Sequence, residues 1–433
     1  MENDLIAGLG FVILLILMAL RVPVGIAMGI VGIGGFATLS GLEPALQLVS
    51  LSPIRNATDF AFGLIPMFVL MGVFASTSGM SGELFRAGNA WLGHRRGGLS
   101  MATLAACAGF AAICGSSVAT AATMAKVALP EMRRYGYADS VATGVIGAGG
   151  TLGILIPPSV VLAVYGIITQ QDIGRLFVAA LVPGFLAVAM YMGTVQIIAW
   201  RSPDSVPAGV AVPWRERFAA LANVWAVLLV FAFVIGGIYG GIFTPTEAAG
   251  MGAGGTFLIA IARRSLSRRQ ILDCLIESVR TTGALFTILI GALLFGVFLA
   301  ITQTPQKLTD LLLSLPVGPY GVLLILLLFF LALGCLMDSL AMIILTVPII
   351  FPAIVDLGFD PIWFGVIVVM TVELGLITPP FGLNVFVIRG VARDVKLSTI
   401  YRGVAPFIVT DIVRILLLVM FPAIVMYLPD TMG

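Results

Sequence analysis

A single histidine and four scattered cysteines leave this chain almost no material for a haem, a metal cluster or a disulfide framework. Cys107, Cys114 and Cys335 stand in apolar stretches and Cys274 near a membrane boundary, with no paired spacing. His94 adjoins Arg95 and Arg96, a solvent-facing context rather than a proton-shuttling one. Charge is equally scarce. Only 10% of the 433 residues are Asp, Glu, Lys or Arg, where a soluble chain carries roughly 25%. A formal net charge of +2 offers no basic surface for nucleic acid. The N-terminus MENDLIAGLGFVILLILMALRVPVG lacks a basic leader and a small-residue cleavage site, so it is expected to stay as a first span.

What is present is apolar sequence, 60% of the residues, with a mean hydropathy of +1.13. The chain reads as an all-α polytopic membrane protein in contact with the lipid bilayer. At about 20 apolar residues per span, spans fall near 5–20, 24–45, 62–77, 139–167, 176–200, 221–241, 245–262, 282–302, 362–388 and 404–428. Two further apolar regions, 99–131 and 319–355, each carry a break near the middle. Each arm of the first is about 16 residues, or roughly 24 Å at helical rise, short of a ~30 Å hydrocarbon core. Both regions therefore read as re-entrant helical hairpins, with tips at Ser116-Ser117 and Asp338-Ser339.

Loop charge supports this layout. Of 23 basic residues, eighteen fall around position 21 and in 78–98, 132–138, 201–217, 263–280 and 389–402, taken as cytoplasmic. Only Arg55, Arg175 and Lys307 fall on the other side, which Asp356, Asp360 and Asp430 make acidic. Both termini are then outside, and the two hairpins enter from opposite faces. The basic run Arg263–Gln270 is read as a topology signal.

Two breaks organise the stretch 113–159. One is Cys114-Gly115-Ser116-Ser117. The other is expected to run from Gly147 through Gly149, Gly150, Thr151 and Gly153 to Pro157-Pro158. A shift of 222 positions repeats the stretch: Ser117 falls on Ser339, Pro130 on Pro352, Gly136 on Gly358, Leu152-Gly153 on Leu374-Gly375, and Pro157-Pro158 on Pro379-Pro380. Asp338 falls on Ser116 and Glu373 on Thr151. Repeats with interrupted helices at matching positions point to a secondary transporter's binding site. The first repeat is placed in residues 1–200 (hairpin 99–131, broken helix 139–167). A junction loop follows at 201–220, and the inverted second repeat lies in 221–433 (hairpin 319–355, broken helix 362–388).

Sodium is a hard cation that takes carbonyl, hydroxyl and carboxylate oxygens. A first sodium site is expected at Ser116, Ser117, Thr120, Gly147, Gly150 and Thr151, where glycines free backbone carbonyls. A second is expected at Asp338, Ser339, Glu373, Gly375 and Thr378. A carboxylate at membrane depth costs about 2.5–3.5 kcal/mol and marks function, which makes Asp338 the strongest of these residues. The substrate region is expected at Ser116, Ser117, Pro157, Pro158, Pro379, Pro380 and Asn384. Asp411 and Arg414, three apart on one helix face, read as a structural pair, and Lys126 as a snorkelling residue. Glu247, just after Thr244-Pro245-Thr246, reads equally as a helix-start acid or a site residue. No histidine, and no lysine save Lys126, stands near enough to the tips to activate a serine, so the chain reads as no enzyme. Opposed hairpins also speak against a passive channel.

The sequence resembles the large membrane subunit of tripartite ATP-independent periplasmic (TRAP) transporters over essentially its whole length. The residues that carry the likeness are Cys114–Thr120, Ala128–Met132, Gly153–Ser159, Thr244–Ala249 and Glu373–Pro380. The resemblance implies a bacterial or archaeal sodium-driven importer of organic acids such as four-carbon dicarboxylates or sialic acid, in the inner membrane. It implies an elevator mechanism, Na+ as coupling ion and no cofactor. The implied partners are a small four-helix (DctQ-like) membrane subunit and a soluble periplasmic (DctP-like) binding protein. A stand-alone carrier of the same superfamily is the alternative.

Overall fold

The computed structural model describes residues 2–432, and the side chains of all of these except Glu2, Arg55, Asn56 and Ala57. Arg55, counted above among the outer-face charges, thus lies outside the described side chains. Helices and the loops between them make up the described residues, with no strand among them. Six stretches are long and apolar enough to cross a membrane: Phe60–Thr77, Asp139–Thr169, Ile173–Arg201, Arg268–Ile301, Ser339–Asp356 and Leu397–Met420. Trp214–Asn223 and Trp225–Tyr239 would make a seventh if this pair, bent by 47°, counts as one span.

Several expected spans are helical with other bounds. Val24–Ser40 stops where Gly41 takes a φ of +92°, a conformation that suits glycine, and a separate helix, Leu42–Ala57, follows. The span expected at 404–428 ends at Met420. The one expected at 282–302 is instead the end of a 34-residue helix, Arg268–Ile301, about 51 Å long. Its start is fixed by a capping box in which Ser267 and Gln270 satisfy each other's backbone N–H groups.

Each repeat pairs a hairpin with a broken helix, in the register read from the sequence. The first hairpin is Gly98–Cys114 and Ser117–Arg134; the second is Gly318–Gly334 and Ser339–Asp356. The arms of the first have 17 and 18 residues, longer than expected and close to a full hydrocarbon thickness. Their re-entrant character rests on the tip: Cys114 and Ser117 are buried, where a loop between two full spans would meet water. Gly136 (φ +78°) and Gly358 (φ +82°), matched by the 222 shift, reverse the chain after the second arms. The broken helices follow as Asp139–Leu155 with Val160–Thr169, and Pro361–Gly375 with Leu383–Val391.

One ion-pair cluster ties the repeats together at the loop end. Arg133 closes the first hairpin and holds Asp139 (2.7 Å), at the start of the first broken helix, and Asp394 (2.7 Å), beyond the end of the second. The hydrogen bond from Arg133 keeps the Asp394 carboxyl below its ordinary range. A depressed folded-state pKa gives stability that is present above the unfolded value, about 3.9, and lost as the pH falls through the folded value. Asp394→Asn should therefore lower the melting temperature at pH 7, by at most about 2 °C for so exposed a pair. The difference from wild type should shrink as the pH falls below the unfolded value and disappear once the carboxyl is protonated in both states. A gap that persists there would assign the effect to something other than this charge.

Candidate binding cavity

Both hairpin tips open into one cavity of about 570 Å³. Gly115 ends the first arm with φ +62°. Ser116 is extended and caps the next helix, its Oγ accepting from the Ala119 N–H at 3.3 Å. Asp338 holds the matching place in the second hairpin, Oδ2 accepting from the Leu340 N–H at 3.2 Å. The two second arms thus point their N-termini, with their free N–H groups, at the same space. Ser116, Ser117, Asp338 and Ser339 all line it.

The facing broken helices lie against these tips through matched glycines. A methyl group at Gly153 would stand 2.5 Å from the Ser116 carbonyl oxygen and 2.7 Å from Thr120 Oγ1. One at Gly375 would stand 2.6 Å from the Gly334 carbonyl carbon. Only glycine lets hairpin and broken helix approach this closely.

The second break is narrower than expected. The first broken helix runs unbroken to Leu155, so Gly147, Gly150 and Thr151 keep helical hydrogen bonds, and only 156–159 are irregular. The glycines serve packing. A Cβ at Gly150 would meet Ala121 at 2.8 Å, and one at Gly147 would meet Val404 at 3.0 Å. Thr151 Oγ1 turns away from the tip, to the Ala148 carbonyl (2.7 Å) and Tyr191 Oη (3.1 Å). Likewise the second broken helix stays helical to Gly375, and Thr378 Oγ1 donates back to the Leu374 carbonyl at 2.6 Å.

Other expected site residues separate into buried and peripheral groups. Asn384 is fully buried and its Nδ2 donates to Ser117 Oγ at 2.7 Å, a direct link between repeats. Thr120 Oγ1, both Glu373 carboxylate oxygens and Asn384 Oδ1 are buried with no hydrogen-bond partner. Pro157 and Pro158 are buried, and Pro379 and Pro380 exposed; none of the four lines the cavity. Each pair is joined by a cis peptide bond, a further match between the repeats. Glu247 forms a capping box with Thr244 at an exposed helix start.

Among the cavity residues outside the expected set are one cation, one acid and a threonine of the long helix. Lys126 stands nine residues beyond Ser117 on the same helix, about 13 Å along it, and lines the cavity rather than only the lipid boundary. Glu277 and Thr281 of the long helix face in as well. Neither Lys126 nor Glu277 has an ion-pair partner among the described residues. The sequence signal for Glu277 was a carboxylate among apolar residues, masked by the basic stretch around it.

Asp411 and Arg414 pair as expected, at 2.8 Å, each only 1% exposed. Tyr191 Oη donates to the Asp411 carboxylate (2.7 Å), and the Arg414 guanidinium lies 5.5 Å from the Tyr191 ring centroid.

Two helical repeats, each docking a hairpin tip on a broken helix beside a shared cavity, give the chain the architecture of a multi-pass membrane transporter. The sequence model described as "Tripartite ATP-independent periplasmic transporter, DctM component" matches residues 11–424. The chain belongs to that family. It is 35% identical, over 93% of its length and 94% of the relative's, to the C4-dicarboxylate TRAP transporter large permease protein DctM of Pseudomonas aeruginosa. It is 31% identical to the sialic acid TRAP transporter large permease protein SiaM of Vibrio cholerae, over 94% of this chain and 95% of that one. Among solved structures, the Alcanivorax borkumensis YdaH transporter superposes with a TM-score of 0.59 at 17% identity, covering 88% of this chain and 90% of that one. That likeness speaks to the fold.

Proposed function

We propose that this chain is the large permease of a tripartite importer that couples sodium entry to uptake of an organic acid. The hairpins and broken helices move as one body past the remaining helices. The observation that carries the reading is the convergence of two oxygen-rich hairpin tips on one cavity. Buried acceptors without donors suit a hard cation. Thr120 Oγ1 beside Ser116 and Ser117 supplies them in one repeat. Glu373 beside Asp338, Ser339, Gly375 and Thr378 supplies them in the other. Gly147, Gly150 and Thr151, held in the helix, serve as packing surface rather than as ligands in this scheme. The relatives' names, a C4-dicarboxylate and a sialic acid permease, support a carboxylate as cargo. They also support assembly with a small DctQ-like subunit and a DctP-like binding protein in the inner membrane.

The test is reconstitution in liposomes with both partners. Uphill uptake should require an inward sodium gradient and the loaded binding protein. Uptake by the chain alone would make it a stand-alone carrier, and uptake without sodium would remove the coupling ion.

Within this scheme Lys126 is the basic side chain that meets an anionic cargo along the cavity wall. A charge pair close to water is worth about 1 kcal/mol. Lys126→Gln should accordingly raise KM about three- to tenfold with kcat nearly unchanged, the signature of lost uniform binding. An unchanged KM would leave Lys126 a boundary residue.

A further inference from the structure

Away from the tips, a second cavity of about 560 Å³ opens between the helices Ile173–Arg201 and Leu397–Met420. Its rim carries Arg201, at the end of the first helix, and Arg402, near the start of the second. Its walls are apolar, with Ile197 49% and Val409 61% exposed. Its floor is closed by Thr194 and Thr410, whose hydroxyls meet at 2.6 Å and so need no further polar partner. From floor to rim is about 10–12 Å along each helix.

The two arginines differ from the loop-end cations that are held by acids. Arg133 is engaged by two aspartates and Arg263 by Glu83. Neither Arg201 nor Arg402 has an acidic partner among the described residues, and Asp204, the acid next along the chain from Arg201, pairs with neither. Both belong to the arginine-rich loops that the charge bias places in the cytoplasm.

We infer that this groove holds an anionic phospholipid, with its phosphodiester between Arg201 and Arg402 and an acyl chain along Ile197, Ile198 and Val409. Guanidinium forks bind phosphate oxygens in pairs. Basic pockets between spans on the cytoplasmic face select anionic headgroups. The exposed apolar walls answer to a chain of methylenes, which a free phosphate does not have.

The test is native mass spectrometry of the delipidated protein titrated with phosphatidylglycerol or with phosphatidylcholine. Wild type should retain phosphatidylglycerol preferentially. Arg201→Gln/Arg402→Gln should lose at least about tenfold of that preference, while Arg268→Gln/Arg269→Gln, on the long helix, keeps it. Equal retention by the first variant, or equal loss in both, would overturn the site. Displacement of the bound lipid by excess inorganic phosphate would overturn the part given to the acyl chain. Should the double variant fail to fold, a photoactivatable phosphatidylglycerol on wild type decides. Labelling of 197–198 and 405–409 supports the groove, and labelling elsewhere alone refutes it.

Discussion

Asp338→Asn should abolish sodium-dependent uptake while leaving the protein folded. The two effects separate because Asp338 does two things. Its Oδ2 caps the helix Ser339–Asp356 through the Leu340 N–H, and asparagine caps about as well as aspartate. Its charge, at the lip of the cavity, has no ion-pair partner among the described residues. Two unit charges 4 Å apart at an effective dielectric of 20 attract by about 4 kcal/mol, roughly a thousandfold in affinity. Asn keeps the oxygen and loses that attraction. Sodium affinity, read as the rise in melting temperature with added sodium, should fall by two to three orders of magnitude. Uptake at ordinary sodium should disappear with it. Asp338→Ala removes the cap as well and should melt lower in the absence of sodium. An Asn variant that still accumulates cargo on a sodium gradient would take the coupling site away from this hairpin. The matching Ser116 carries no charge, so Ser116→Ala should cost far less.

The repeat was legible because broken helices leave marks that ordinary spans do not. The Gly136/Gly358 pair takes a positive φ that favours glycine, and each proline pair falls within the break of its helix. The extent of the break was not legible. A run such as Gly147-Ala148-Gly149-Gly150 looks like freed backbone in isolation. In the fold it is helix, and the missing side chains make room for Ala121, Cys107 and Val404. Small residues in a membrane helix announce close neighbours as readily as irregular backbone, and one chain of letters does not separate the two. The long helix Arg268–Ile301 did leave a signal, Ser267-x-x-Gln270, but basic residues in its first turns gave it the look of a loop. Lys126 and Glu277 meet the same cavity only because a hairpin arm and a distant helix are brought side by side, which no spacing encodes.

The buried pair Asp411–Arg414 carries the largest expected effect on folding. Arg414 is 1% exposed, and beyond its contact with Asp411 its Nε and Nη1 have no hydrogen-bond partner. Its electrostatic neighbourhood also includes Glu373. Arg414→Ala would therefore strand the Asp411 carboxylate in the interior. Removing one partner of a buried ion pair costs about 3–5 kcal/mol, a large share of the 5–15 kcal/mol that holds a typical protein together. The variant should express poorly and run as aggregate in detergent. Asp411→Asn/Arg414→Met tests whether the cost is electrostatic. Asn preserves an acceptor for Tyr191, and Met refills the volume of the arginine stem. This double variant should regain a monodisperse profile and most of the wild-type melting temperature. If it also takes up cargo, the pair is structural, as its i,i+3 spacing and its absence from the cavity lining indicate. A double variant that folds but does not transport would instead make Arg414 the counter-charge of Glu373 during the cycle. Full stability of Arg414→Ala alone would mean that water already reaches the pair, and the burial argument would fail.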